Sequence, residues 1–140
     1  MTGTAAEKTE LSFGDVSIGG TSVQLKGKSK ALQKLPCSGI FQCRWKDQGW
    51  GNQRGKLYLK LMAPDGTQKA SFTLTEGLSP HEWEDVKVDL KATDSVLAEA
   101  TVGCWYEVNA DEGNGNGHEI YVQGPVLSLA GENQPICGGR

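Results

Sequence analysis

An all-β fold, an antiparallel β-sandwich of about eight strands, is predicted by three observations. Apolar and polar residues alternate in stretch after stretch, the period of a half-buried strand. Turn signals separate those stretches, and glycine reaches 19 of the 140 residues. No segment carries the 3.6-residue period of an amphipathic helix. Strands spaced by turns without helices imply two packed sheets. Pattern alone leaves jelly-roll and immunoglobulin-like connections open, and jelly roll is the topology adopted. A chain of this length forms a proper core in one domain without help from metals or crosslinks.

Residues 1–10 are polar and expected to be flexible, the sandwich domain spans 11–130, and 131–140 form a loose tail that Ile136 could anchor. Leu11 and Phe13, then Val16 and Ile18, mark a first strand broken near Gly14, and Gly19-Gly20 is a turn. Val23 and Leu25 alternate with Gln24 and Lys26 in a second strand, followed by a polar connection from Gly27 to Lys34. Ile40 to Trp45 is a third strand with Phe41, Cys43 and Trp45 on one face. Leu57, Leu59 and Leu61 alternate with Lys56, Tyr58 and Lys60. Pro64-Asp65-Gly66 then sets a turn, and Ala70, Phe72 and Leu74 resume the alternation, so 56–75 reads as a hairpin. Val86, Val88 and Leu90 point inward against Asp85, Lys87 and Asp89, and Trp83 has the parity of the wet face. Ala92 to Leu97 has room for one helical turn. Val102, Cys104, Tyr106 and Val108 share a face of the next strand, and Asn109 to Gly117 is an acidic loop rich in glycine and asparagine. Glu119 to Ala130 is the last strand, with a bulge at Gly124-Pro125, since proline has no N–H for a ladder.

A net charge of −3 and a pI near 5.4, with Lys26, Lys28, Lys30 and Lys34 spread thinly, argue against nucleic acid as a partner. No apolar run reaches the ~20 residues of a membrane helix, so membrane insertion is not expected. Met1 to Glu10 lacks the basic and apolar regions of a signal peptide. The expected location is therefore cytoplasmic, or secreted if a signal has been removed. Cys37, Cys43, Cys104 and Cys137 contain no C-x-x-C pair, which disfavours zinc. Cys37 and Cys43 lie on one extended run, about 20 Å apart at ~3.3 Å per residue, beyond disulfide reach. Free thiols are expected, with Cys43 and Cys104 acting as small buried hydrophobes.

Arg44 to Gly55 concentrates ligand-like chemistry between two strands. Asp47, Trp50, Asn52, Gln53 and Arg54 are its candidate binding residues. A tryptophan ring stacks on the apolar face of a pyranose while Asp, Asn and Arg hydrogen-bond its hydroxyls. The same residues also have a structural reading. Asp47 or Asn52 can accept backbone N–H groups, Trp50 can cap the sandwich, and Arg54 can pair with Asp47. Gly49, Gly51 and Gly55 suit demanding backbone angles under either reading.

The run Trp45-x-Asp47-Gln48-Gly49-Trp50-Gly51-Asn52-Gln53-x-Gly55, followed by Leu57-x-Leu59-x-Leu61, resembles a motif of galactose-binding-like jelly-roll domains, including the sugar-recognising domain associated with some F-box proteins. Gly117-His118-Glu119-Ile120-Tyr121-Val122, closing on Gly124-Pro125-Val126-Leu127-Ser128-Leu129, is similar to the last strand pair of such domains. The resemblance implies a lectin-like sandwich without catalysis of its own that binds glycans or proteins through end loops.

The loop from Asn109 to Glu119 adds Asn114, Asn116 and His118 as rim contacts if it lies beside the 47–54 loop. No cofactor is expected. Calcium is the one ion that its oxygens at Asp111, Glu112, Asn114, Asn116 and Glu119 would suit, and the spacing is not that of an EF-hand. His81 with Glu82, Glu84 and Asp85 reads as a polar strand start, because no nucleophile motif accompanies it. Glu82, Glu84, Glu107 and Glu119 are the carboxylates available for glycoside hydrolysis, a third reading that no spacing supports. Catalytic residues are not expected. The leading expectation is a non-enzymatic carbohydrate-binding module with a glycan or glycoprotein partner. The alternative is an intracellular protein-interaction module that uses Trp83 and an exposed sheet edge or face, with a protein partner or a second copy of the chain.

Overall fold

The computed structural model describes residues 8–13, 16–19, 27–33, 35–50, 53–111 and 119–130. Among these, nine strands form two antiparallel sheets. They are β1 (Lys8–Ser12), β2 (Val16–Gly19), β3 (Gly27–Lys28), β4 (Ser38–Asp47), β5 (Lys56–Met62), β6 (Gln68–Thr73), β7 (Glu84–Leu90), β8 (Trp105–Asp111) and β9 (Glu119–Ala130), with one helical turn, α1 (Ser95–Ala98). The first sheet runs β1-β9-β4-β7, with β2 also on β9, and the second runs β3-β8-β5-β6.

The order has a simple origin. β5 pairs with β6, β4 with β7, β3 with β8, and β1 and β2 with β9. These pairings nest like the arms of one long hairpin. Winding that hairpin over itself puts successive pairs in opposite sheets, which is jelly-roll topology. β1 takes the Val126–Ala130 half of β9 and β2 the Glu119–Val122 half, so the two share one strand position.

Strand alternation builds the core. Leu57, Leu59, Leu61, Tyr106 and Val108 of the second sheet are fully buried against Phe41, Ile120 and Leu127 of the first, and Trp45 is only 3% exposed. Each such side chain contributes roughly 1.5–3 kcal/mol by leaving water. The hairpin turns at Pro64-Asp65-Gly66 as expected, with Gly66 at φ 92°. The expected bulge is also present: Gln42 faces Val126 while Arg44 faces Gln123, so β9 carries an extra residue at Gly124-Pro125. Gly124 has φ 59° there.

Four expectations are corrected. β1 begins at Lys8, inside the segment expected to be flexible, because Lys8 pairs with Ala130. Val102 is 60% exposed rather than inward. Gly103, at φ 96°, breaks the extension there, and the Cys104 N–H donates to Thr101 O at 3.0 Å to close a turn before β8. β8 runs to Asp111, so Asn109 to Asp111 are strand rather than the start of the expected loop, while one helical turn forms at Ser95–Ala98, overlapping its expected span. Finally, Cys37 is disulfide-bonded, whereas Cys43 and Cys104 are free and buried. Strand spacing excluded a Cys37–Cys43 bridge but said nothing about partners distant in sequence. Val23, Leu25 and Cys137 lie outside the described residues.

Two buried groups make the fold sensitive to alkali. Burial, then the nearby Asp85 charge, pushes the Cys43 thiol up to about 12 from an ordinary 9.0. Burial, then Cys104, pushes the Tyr106 phenol up, and its hydroxyl donates to Val96 O at 2.7 Å. Both stay neutral in the fold at a pH where an unfolded chain ionises. Their contribution is therefore complete below the ordinary thiol value and is lost as pH rises through the folded values. Urea midpoints are expected to fall steadily from about pH 9 upward, and iodoacetamide is expected to leave Cys43 unmodified until urea unfolds the chain. A midpoint that stays level across that range contradicts this account.

Candidate functional site

The turn after β4 is locked by a buried carboxylate. Asp47 continues the inward parity of Phe41, Cys43 and Trp45 and is 3% exposed. Its oxygens accept the Gly49 N–H at 2.8 Å, the Ser79 hydroxyl at 3.3 Å, and the Nδ1–H of His81 at 2.9 and 3.1 Å. Its own N–H donates to Pro80 O at 2.7 Å. Backbone and side chain of Gln53 clamp the same neighbour: Ser79 N–H donates to Gln53 O at 3.0 Å, and Gln53 Nε2 donates to Ser79 O at 2.8 Å. Gln53 holds φ 59°, and Gly49 φ 98°, the left-handed region that glycine takes without strain. The Gln48 amide donates to Trp50 O and accepts the Glu119 N–H, the latter at 2.8 Å. The β4–β5 turn, the β6–β7 turn and the start of β9 thus meet at one end of the sandwich.

This lock separates the candidate residues. Asp47 is spent on positioning, and Gln53 is tied to Ser79, whereas Trp50 is 56% exposed and Arg54 is exposed. The ring that meets the Asp47 carboxylate is that of His81, and Arg54 does not pair with it. Asn52, Asn114, Asn116 and His118 lie outside the described residues. Asp47, His81 and Ser79 bring together the residue types of a nucleophilic triad in the wrong arrangement. The buried Ser79 hydroxyl donates to the carboxylate rather than to the imidazole. Of the carboxylates available for hydrolysis, Glu107 lies on β8 in the second sheet, Glu84 and Glu119 lie on strands of the first, and Glu82 precedes β7. Among the described residues no cluster of His, Cys, Asp or Glu could hold a metal.

Below the turn, the outer face of the first sheet carries a second group. Lys46 is paired in register with Tyr121, and Arg44 with Gln123 and Asp85. The Lys46 ammonium lies 5.5 Å from the Trp83 ring and 6.0 Å from the Tyr121 ring, and the Arg44 guanidinium lies 5.6 Å from Trp83. Each such contact contributes about 0.5–1 kcal/mol at a surface. Arg44 also meets Asp85 at 3.6 Å. Trp83 and Tyr121 are half-buried, and Leu78, in the β6–β7 turn, is 66% exposed. Sequence reasoning placed Trp83 on the wet face but missed Ser79, Arg44, Lys46 and Tyr121. The wet parity of Arg44 and Lys46 was readable. Their approach to Tyr121 depends on β4 pairing with β9, which no local pattern encodes.

No family model and no curated protein sequence matches the chain. Its fold is similar to that in the T13 particle of infectious bursal disease virus, at TM-score 0.61 and 11% identity over 91% of this chain and 32% of that one. It is also similar to part of an arabinose-bound α-L-arabinofuranosidase, at TM-score 0.54 and 17% identity over 86% of this chain and 19% of that one. A third likeness is to the CBM36-1 domain of a multidomain xylanase from the hindgut metagenome of Trinervitermes trinervoides, at TM-score 0.46 and 12% identity over 90% of this chain and 98% of that one. The chain spans about a third or less of the first two. At these identities the first two likenesses establish the β-sandwich fold alone.

Proposed function

We propose that this chain is a non-catalytic carbohydrate-binding module, lectin-like in using rings presented by end loops in the manner of galactose-binding-like domains. The observation that carries the reading is Trp50, more than half exposed on a turn that Asp47, Ser79 and His81 hold rigid. An exposed ring on a fixed support loses little freedom when a pyranose stacks on it, and Arg54, exposed on the same connection, offers planar donors to hydroxyls. The reading requires no metal. On a glycan array, Trp50→Ala is expected to lower the signal at least fivefold with the fold intact by circular dichroism, and EDTA to leave the wild-type signal unchanged. No binding to any glycan by a multivalent form of the wild type sinks the reading.

Exposed Leu78 in the adjoining turn favours a second reading, a protein-interaction surface formed by the same corner. A glycan-silent protein whose Trp50→Ala and Leu78→Ser variants alter self-association in light scattering would support it. The Cys37 disulfide supports a location in an oxidising compartment. Among the described residues no helix is long and apolar enough to cross a membrane.

A further inference from the structure

The β9 bulge leaves a hollow on the outer face of the first sheet. A cavity of about 500 Å³ opens there, with Gln42, Arg44, Asp85, Lys87 and Gln123 around it, Cys43 and Val86 beneath, and Gly124 at the bulge. Its origin is local. The extra residue in β9 pulls Gln123 and Val126 apart across Gln42 and Arg44. Gly124 adds no side chain, and nothing lies within 4 Å of where a Cβ would stand. Two residues further along, Tyr121 of β9 and Trp83, just before β7, flank Lys46, so the hollow continues into an aromatic shelf that leads toward the Trp50 turn.

We infer that this hollow and shelf bind a stretch of acidic polysaccharide, with its uronate carboxylates along the row of Lys87, Arg44 and Lys46. The inference rests on the carbohydrate reading above and names its substrate class. Two observations independent of Trp50 support it. The first is chemical variety: two glutamine amides, the Arg44 guanidinium and the Lys87 ammonium line the hollow, and the Lys46 ammonium lies between two rings on the adjoining shelf, which suits an extended ligand that has hydroxyls, negative charges and an apolar ring face. The second is charge. Arg44 and Lys87 line the hollow with one carboxylate, Asp85, and Lys46 adds a third cation on the shelf, in a chain whose net charge is −3. Arg44 and Lys46 now rest over Trp83, contacts weak enough for a carboxylate to draw the cations away and free the ring face for stacking.

Affinity electrophoresis of the intact protein through gels containing polygalacturonate, alginate, neutral galactan, neutral xylan or dextran sulfate tests this. Retardation by polygalacturonate or alginate is expected to exceed that by the neutral polymers at least tenfold in affinity and to weaken as salt is raised. Lys46→Gln and Arg44→Gln, which keep length and polarity, are expected to reduce it at least tenfold. Trp83→Ala is expected to do the same, with its urea midpoint measured to separate lost binding from lost folding. Binding to neutral polymers alone, abolished by Trp50→Ala and indifferent to Lys46→Gln and Arg44→Gln, overturns the inference and leaves the carbohydrate reading standing. Retardation that follows polymer charge alone, equal on dextran sulfate and unchanged in a folded Trp83→Ala protein, overturns it as simple ion exchange. Silence on every polymer and on the array removes both.

Discussion

Asp47→Ala is expected to destabilise the protein by about 3 kcal/mol, because it strips a buried acceptor from three donors at once. The Gly49 N–H, the Ser79 hydroxyl and the His81 ring would each lose a partner at 2.8–3.3 Å. Ser79 is 1% exposed and cannot turn to water. His81 can, since over a third of its side chain is accessible. His81→Ala alone should therefore cost less, about 1 kcal/mol. Asp47→Asn keeps the shape and one good acceptor, and should fall between the two. Urea titrations give these differences directly, and a double-mutant cycle isolates the Asp47–His81 coupling. Hydrogen exchange supplies the local readout: the Gly49 and Gly55 amides should lose protection in Asp47→Ala, Gly55 because its N–H donates to the Ser79 hydroxyl at 3.3 Å. A cost below 1 kcal/mol with those amides still protected would show that the turn is held by something else.

The same substitution links stability to the surface that the turn presents. If the carboxylate serves only to fix the turn, glycan binding by Asp47→Ala should weaken through looser placement of Trp50. Asp47→Asn, with the turn preserved, should then bind nearly as wild type. If the carboxylate instead contacted sugar, both variants would lose binding equally. The burial of Asp47 favours the first outcome.

Period-two alternation made the β5–β6 hairpin, the inward set of β7 and the core face of β4 readable, because each is decided by neighbours two residues apart. Proline beside glycine made the β9 bulge readable for the same local reason. Asp47 marks the limit. Its parity with Trp45 already pointed inward, yet a buried carboxylate makes sense only with partners, and Ser79 and His81 lie 32 and 34 residues away. The aromatic and cationic face required the β4–β9 register as well. Nested pairing joins residues across most of the chain, and no local pattern specifies which strand will lie beside which. Asn52, Asn114, Asn116 and His118 stand as proposals beside Trp50 and Arg54.

Cys37→Ser is expected to cost about 2–4 kcal/mol, and reductant should bring the wild type down to the same level. The position explains why the bond matters. Cys37 immediately precedes β4, and its N–H donates to Ala130 O at 2.9 Å. Ala130 is also the register partner of Ser38 and of Lys8. Three strands therefore end together beside this sulfur, and β1 adds only five residues to the sheet edge. Without the crosslink that corner should fray first. Hydrogen exchange should rise along Lys8–Ser12 and at the end of β9, while the Gly49 and Gly55 amides, at the site end, keep their protection. Urea midpoints of wild type and Cys37→Ser, each with and without dithiothreitol, provide the measurement. The variant should be indifferent to reductant, since Cys43 and Cys104 are free. An unchanged wild-type midpoint in dithiothreitol, under conditions where thiol counting shows Cys37 reduced, would overturn the prediction. It would also remove the physical argument for an oxidising compartment, because a bond that adds no stability gives the fold no reason to depend on one.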